Sequence, residues 1–171
     1  MSEEEFDIVD TADNVIGQAP RSVVHAYRWL HRAVHIFVFN TRGELLVHKR
    51  SSTKDECPSL YTSSASGHLS AGEDYEPAAI RELQEELGLL SPLEWLQKFP
   101  AGAMTSYEFS GLYRTTTDEP PQFDPGEIES GAFYKLPDVA AWVQQSPEDF
   151  TPCFRTLFAW YWQTYGGNPK A

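Results

Sequence analysis

The chain has 171 residues, 41% of them apolar and 13% aromatic, which suits one well-filled core rather than several. Its formal charge of −12 leaves no basic face for nucleic acid, so a small anionic substrate has to be met by a metal and by local Arg or Lys. Two cysteines make no disulfide framework, no run approaches the ~18 apolar residues of a membrane span, and the acidic start MSEEEFD does not read as a targeting segment; a soluble, cytoplasmic protein with no membrane partner is expected.

Taken in order, 6–9 reads as a short strand and Asp13-Asn14 as a turn, with residues 1–30 an extension packed on a single domain spanning 1–171. The alternating, then continuous apolar residues of 32–40 predict a core strand. Residues 40–43 predict a turn, and 44–50 (ELLVHKR) a strand returning as a hairpin. A Ser/Thr-rich loop, 51–66, follows. Good helix formers then fill 76–87, with Pro77 tolerable only in a first turn, Asp74 placed as a cap and Gly88 as a left-handed stop. Ala79, Ile80, Leu83 and Leu87 are its expected apolar face. Strands at 95–100, 108–115 and 129–136 and helices at 137–145 and 152–165 complete a layered α/β domain, with Cys153 buried in the last helix.

The chemistry concentrates in 67–89, GHLSAGEDYEPAAIRELQEELGL. Glu82, Glu85 and Glu86 stand three and four apart, so they share an arc of one helix face. At ~5.5 Å and an effective dielectric near 20, each carboxylate pair in a partly buried site costs about 3 kcal/mol, which a divalent cation removes. Clustered carboxylate oxygens suit Mg²⁺, or Mn²⁺ in its place, rather than Zn²⁺. Arg81 lies four residues before Glu85 and can orient it, and the glycines of 67–72 let backbone approach a phosphate or metal. Lys49, Arg50 and Lys54, at and just beyond the end of a strand, are the candidate phosphate ligands. Tyr61, Phe109, Tyr113 and Phe123 are candidates to stack on a base.

Gly67, Glu73, Arg81, Glu82, Glu85, Glu86 and Gly88, with apolar Leu83 and Leu89, match the Nudix box at every defined position, and the chain resembles a Nudix hydrolase. Seven fixed residues at background frequencies of ~6% each, together with the two apolar ones, would arise by chance in a chain this long on the order of once in 10⁷ to 10⁸ trials. The resemblance implies an α/β/α sandwich with a mixed central sheet, and hydrolysis of a nucleoside diphosphate linked to another group. It implies Mg²⁺ held by Glu82, Glu85, Glu86 and a backbone carbonyl at Ser66–Gly67, with Glu82 or a downstream loop residue as base. Glu73 would anchor loop to helix, and Glu108, then Glu127, are candidate extra ligands. A homodimer would be common in such a family.

The runs LHRAVHIFVFN, GELLVHKRS and SGHLSAGE, with EIESGAFYKL and EDFTPCFRTL, also resemble the Nudix subgroup that includes isopentenyl diphosphate isomerase. There a metal is held by three histidines and glutamates. His25, His31 and His68 stand in those places and Glu108 matches one glutamate, while the partner of that glutamate falls at Ser106. The subgroup's catalytic cysteine falls at Ser66. The resemblance therefore implies hydrolase machinery on the isomerase scaffold, with a prenyl diphosphate isomerase or a non-catalytic nucleotide-binding module as the alternatives.

Overall fold

The computed structural model describes residues 2–166; Met1 and 167–171, the ends of the expected domain, lie outside the described residues. Strands β1 (Glu5–Val9) and β2 (Val15–Pro20) form an antiparallel hairpin, followed by a short helix α1 (Arg21–Tyr27). The main sheet contains β3 (His31–Phe39), β4 (Glu44–Arg50), β5 (Tyr61–Thr62), β6 (Ala65–His68), β7 (Glu94–Phe99), β8 (Glu108–Thr116) and β9 (Ile128–Lys135). It is mixed: β3 and β8 run parallel along nine registered pairs, and the other ladders are antiparallel.

Alternation along β3 assigns the layers. Val34, Ile36 and Val38 pack towards α2 (Tyr75–Leu87), whose Ala78, Ala79, Leu83 and Leu87 are buried against them. Phe37 and Phe39 point the other way, into a core with α3 (Leu136–Gln145) and α4 (Pro152–Tyr165). The result is a helix–sheet–helix sandwich with two cores. On α4 the buried row is Cys153, Phe154, Leu157, Phe158 and Tyr161, each large apolar side chain contributing about 1.5–3 kcal/mol. Thr151 caps that helix by accepting the Phe154 amide hydrogen.

Three features depart from the sequence expectation. The segment 15–27 holds a strand and a helix that no local signal announced. The hairpin expected at 32–50 splits: β3 and β4 pair only at Phe39 and Leu45, and then β3 takes β6 while β4 takes β9. Ser64 explains the split, because its hydroxyl accepts from Val38 N at 2.8 Å and donates to Leu46 O at 2.5 Å, standing between the diverging strands. On α2 the buried side is rotated: Ile80 is 44% exposed, while Ala78, Glu82 and Glu86 are buried. Packing on the sheet decides this, since its centre lies along Ala79, Leu83 and Leu87 and leaves 80 at the rim.

Asp13, buried and at φ 65°, ties the N-terminal hairpin to the sandwich. Its carboxylate accepts from Arg32 Nε (2.7 Å), Tyr75 OH (2.8 Å) and Lys98 Nζ (2.9 Å). Burial alone would raise the carboxyl, but these donors outweigh it and hold the group below its ordinary range. Asp13→Ala strands two cations and a hydroxyl and places Cβ chemistry without a local hydrogen bond at positive φ. A loss of about 2–3 kcal/mol is expected by denaturant titration.

Candidate functional site

The site is built around α2. Its N-terminus follows Asp74, and at its C-terminus Gly88 sits at φ 63° with its N–H on Gln84 O and the Leu89 N–H on Leu83 O. Arg81 is the hub on the outer side. Its Nε and Nη2 each lie 2.9 Å from a Glu73 oxygen, and Nη1 reaches Glu82 at 2.7 Å and Glu85 at 3.2 Å. Nη2 also donates to His68 O at 3.1 Å. Glu73 in turn accepts the Ser70 amide hydrogen at 2.9 Å, so one carboxylate closes the loop and holds the guanidinium.

Glu85 stays largely exposed, while Glu82 and Glu86 face inward. Burial, against the pull of Arg81 and aided by Glu85 and Glu127, pushes the Glu82 carboxyl up to about 7. Burial also raises Glu86 well above its ordinary range, with Glu82 and Glu127 adding to it and a backbone hydrogen bond from Ser66 working against it. Glu86 Oε2 is buried with no hydrogen-bond partner. An all-oxygen set with an unpartnered inward oxygen fits a hard divalent cation, which would relieve both the desolvation and the mutual repulsion. Gly67 makes room for this: a Cβ there would lie 2.1 Å from Glu82 Cδ and Oε1. Gly67→Ala therefore has to displace the Glu82 carboxylate, and at least a roughly tenfold weakening of Mg²⁺ affinity is expected by calorimetry, with the fold retained.

Glu82, Glu85 and Glu86 line a cleft of about 270 Å³ shared with Ser66, Gly67 and Arg81. Arg50 and Lys54 line it too. The Arg50 guanidinium donates to Glu56 O from Nε and Nη2 at 3.2 and 2.9 Å, and Lys54 pairs with Glu127. Lys49 does not belong to the cleft: alternation turns it to the other face of β4, where it pairs with Glu129 at 3.1 Å. Arg21 does belong, paired with Asp55 at 3.3 Å, and sequence reading missed it because nothing around it in the chain marks it. The aromatic candidates are placed elsewhere: Tyr61 packs on Trp142 and Phe150, Tyr113 and Phe123 lie in or against the α2 core, and Phe109 is buried beneath Lys98.

Beside the cleft, reached from it through His68, the donor atoms of His25, His31 and His68 lie within 4.8 Å of one another. Phe6 of the N-terminal hairpin packs on all three rings. His31 Nδ1 meets Trp29 O at 2.8 Å, so that nitrogen carries the hydrogen and Nε2 turns its lone pair inward. Glu108 Oε1 lies 2.7 Å from His68 Nε2 and 3.6 Å from His31 Nε2. Burial would raise Glu108, but the His68 and His31 rings hold it far below the carboxylate range. For His25, burial dominates and lowers the imidazole, opposed by Glu56 and reinforced by the other two rings.

Cys153 Sγ sits 3.3 Å from His35 Nε2 at the cleft floor. Burial pushes the thiol up to about 12 and the imidazole down to about 4, so the pair stays neutral and is no thiolate nucleophile.

A NUDIX domain model matches residues 29–161. The chain belongs to the Nudix family. Among its relatives, a Serratia proteamaculans protein named isopentenyl-diphosphate Delta-isomerase is 34% identical over 155 residues, spanning 88% of this chain and 87% of the relative. A Deinococcus radiodurans Nudix hydrolase is 35% identical over 135 residues, 77% of this chain and 78% of that one. Among solved structures, DR0079 from Deinococcus radiodurans superposes with a TM-score of 0.71 at 32% identity, covering 81% of this chain and 90% of the other. A MutT protein from Methanosarcina mazei, at 15% identity and a TM-score of 0.66, shares the fold.

Proposed function

We propose that this Nudix protein is a Mg²⁺-dependent hydrolase, Mn²⁺ substituting, that cleaves the phosphoanhydride of nucleoside di- or triphosphates or related nucleoside diphosphate derivatives. The observation that carries this reading is the buried, unpartnered Glu86 oxygen beside Glu82, on a helix whose Arg81 is engaged with Glu73, Glu82, Glu85 and the His68 carbonyl and leaves Glu86 without a cation. When bound there, a divalent cation supplies charge neutralisation at the diphosphate and a more acidic water. Glu82, Glu85 and Glu86 hold it, and Arg81 fixes Glu82 and Glu85 in place. Arg50, Lys54 and Arg21 meet the phosphate oxygens, each turning from its present acceptor or carboxylate. Glu82, or a carboxylate of the downstream loop, accepts the proton from the attacking water. The reading carries with it a small-molecule partner rather than nucleic acid, a cytoplasmic location and a homodimer.

The second reading is a prenyl diphosphate isomerase, favoured by the histidine–Glu108 cluster and by relatives bearing that name. Ser66 in place of the cysteine, and the neutral Cys153 thiol, weigh against it. A Mg²⁺-dependent product analysis by mass spectrometry separates them, using nucleoside di- and triphosphates, nucleotide sugars, dinucleoside polyphosphates and isopentenyl diphosphate. Release of phosphate or pyrophosphate from nucleotides is expected. Rearranged prenyl diphosphate without phosphate release hands the case to the isomerase, and tight nucleotide binding with no product at all to a binding module.

A further inference from the structure

The floor of the cleft is polar but uncharged. His35, Thr62, Thr151 and Cys153 line it from β3, β5 and the start of α4, and their exposures lie between 2% and 7%. Among the described residues no aromatic or branched aliphatic side chain lines the cleft. The hydrogens of the floor settle which way it donates. Ser63 Oγ lies 2.8 Å from His35 Nδ1, His35 Nε2 lies 3.3 Å from Cys153 Sγ, and Ser110 Oγ lies 3.6 Å from the same sulfur. Both serines are fully buried, and a buried hydroxyl hydrogen needs an acceptor. Ser63 therefore donates to Nδ1 and Ser110 to the sulfur, and the ring hydrogen on Nε2 is donated to the sulfur too. The thiol hydrogen is the one left over, on a residue that borders the cleft. Thr62 and Thr151 repeat the pattern. Their hydroxyls share one hydrogen bond of 3.1 Å and Thr151 Oγ1 also accepts from Phe154 N, so one hydroxyl hydrogen has no acceptor among the described residues.

We propose that this floor receives the sugar hydroxyls of the substrate, and that Cys153 and the Thr62–Thr151 pair select a ribosyl diphosphate over an alkyl or prenyl one. The inference rests on the hydrolase reading of the cleft and names the part of the substrate next to the phosphates. Charged walls that include Arg50, Lys54 and the α2 glutamates take the phosphates and the metal, and the neutral floor takes the neutral group beside them. Sugar oxygens accept from the two spare donors, and sugar hydroxyl hydrogens have carboxylates of the same cleft to meet. An alkyl tail would strip water from those donors, offer no acceptor in return, and find no apolar wall to pack on.

The test reads binding rather than turnover. Full-length protein with Mg²⁺ is titrated by calorimetry with α,β-methylene adenosine and cytidine diphosphates, their 2′,3′-dideoxy forms, methylenediphosphonate and isopentenyl diphosphate. Wild type should bind each ribonucleotide about tenfold more tightly than its dideoxy form and than the other two compounds. Cys153→Ala and Thr62→Val should each shrink the ribo-to-dideoxy ratio to about threefold, whereas Cys153→Ser, which keeps a donor, should hold it. Circular dichroism confirms that the variants fold. Equal wild-type affinity for ribo and dideoxy forms, or tighter binding of methylenediphosphonate or isopentenyl diphosphate, overturns the sugar subsite. Equal weakening of both nucleotide forms in Cys153→Ala overturns the role of Cys153. Turnover of the ordinary nucleotides, followed in parallel, reports on the hydrolase by itself. Turnover without the sugar preference removes only the subsite, and the sugar preference without turnover removes only the hydrolase.

Discussion

Glu86→Gln should lower metal-dependent turnover by about 10³-fold, or about 4 kcal/mol of transition-state stabilisation, while the metal-free protein becomes no less stable. The two halves have one cause. A buried carboxylate with an unpartnered oxygen is costly until a cation arrives, so removing its charge removes both the cost and the ligand. The pH dependence follows with a definite sign. Glu82 and Glu86 titrate higher in the folded chain than in the unfolded one, so between those values the folded state binds more protons. Their contribution to stability is fully present below the ordinary carboxylate value of 4.5 and is lost as pH rises, for Glu82 through about 7. The melting temperature of metal-free wild type should therefore fall between pH 5 and pH 8 by about the effect of a few kcal/mol. Mg²⁺ should restore it at pH 8, and Glu86→Gln should show a flatter slope and little Mg²⁺ response. Unchanged turnover in both Glu86→Gln and Glu85→Gln would sink the hydrolase reading.

Arg81→Ala is expected to be the next most damaging change, with about 10²-fold lower turnover and about 2 kcal/mol lower stability. The guanidinium is 30% exposed, so its ion pairs are discounted for solvent, but it is also the one group that binds Glu73, Glu82, Glu85 and the His68 carbonyl at once. Its hydrogen bonds to Glu73 are the first cause of its strongly raised basicity, ahead of the opposing effect of burial and the support of Glu82. A lysine cannot reproduce the paired contacts to Glu73, so Arg81→Lys should recover little of the loss. Combining Arg81→Ala with Glu73→Gln should cost much less than the sum of the two, because each alone strands the other. Additive losses in that cycle, or near-wild-type Mg²⁺ affinity in Arg81→Ala, would remove Arg81 from the positioning role.

Much of α2 was legible because its information is local. A spacing of three and four residues fixes which side chains are neighbours on a helix, and a glycine at the stop position fixes its end. The same reasoning could not say which face would be buried. Ile80 is exposed and Glu82 and Glu86 are buried because the sheet, not the helix, chooses the contact line. Lys49 lies outside the cleft for a related reason: neighbouring cations on one strand point to opposite faces, and only the sheet shows which face meets the cleft.

From its residues alone the chain determines a layered α/β domain with a carboxylate-bearing helix and its glycine-flanked loop. These depend on periodicity, capping and turn chemistry within a few residues. The tertiary structure alone decided that Ser64 parts β3 from β4, that Arg21 enters the cleft from the N-terminal segment, and that Glu56 meets His25, His68 and Glu108. Those contacts join positions tens of residues apart, and no short-range propensity encodes them. They exist because the sheet sets strands distant in the chain side by side, β3 beside β8, β6 and β4, so that residues far apart in sequence share its ends and its seams.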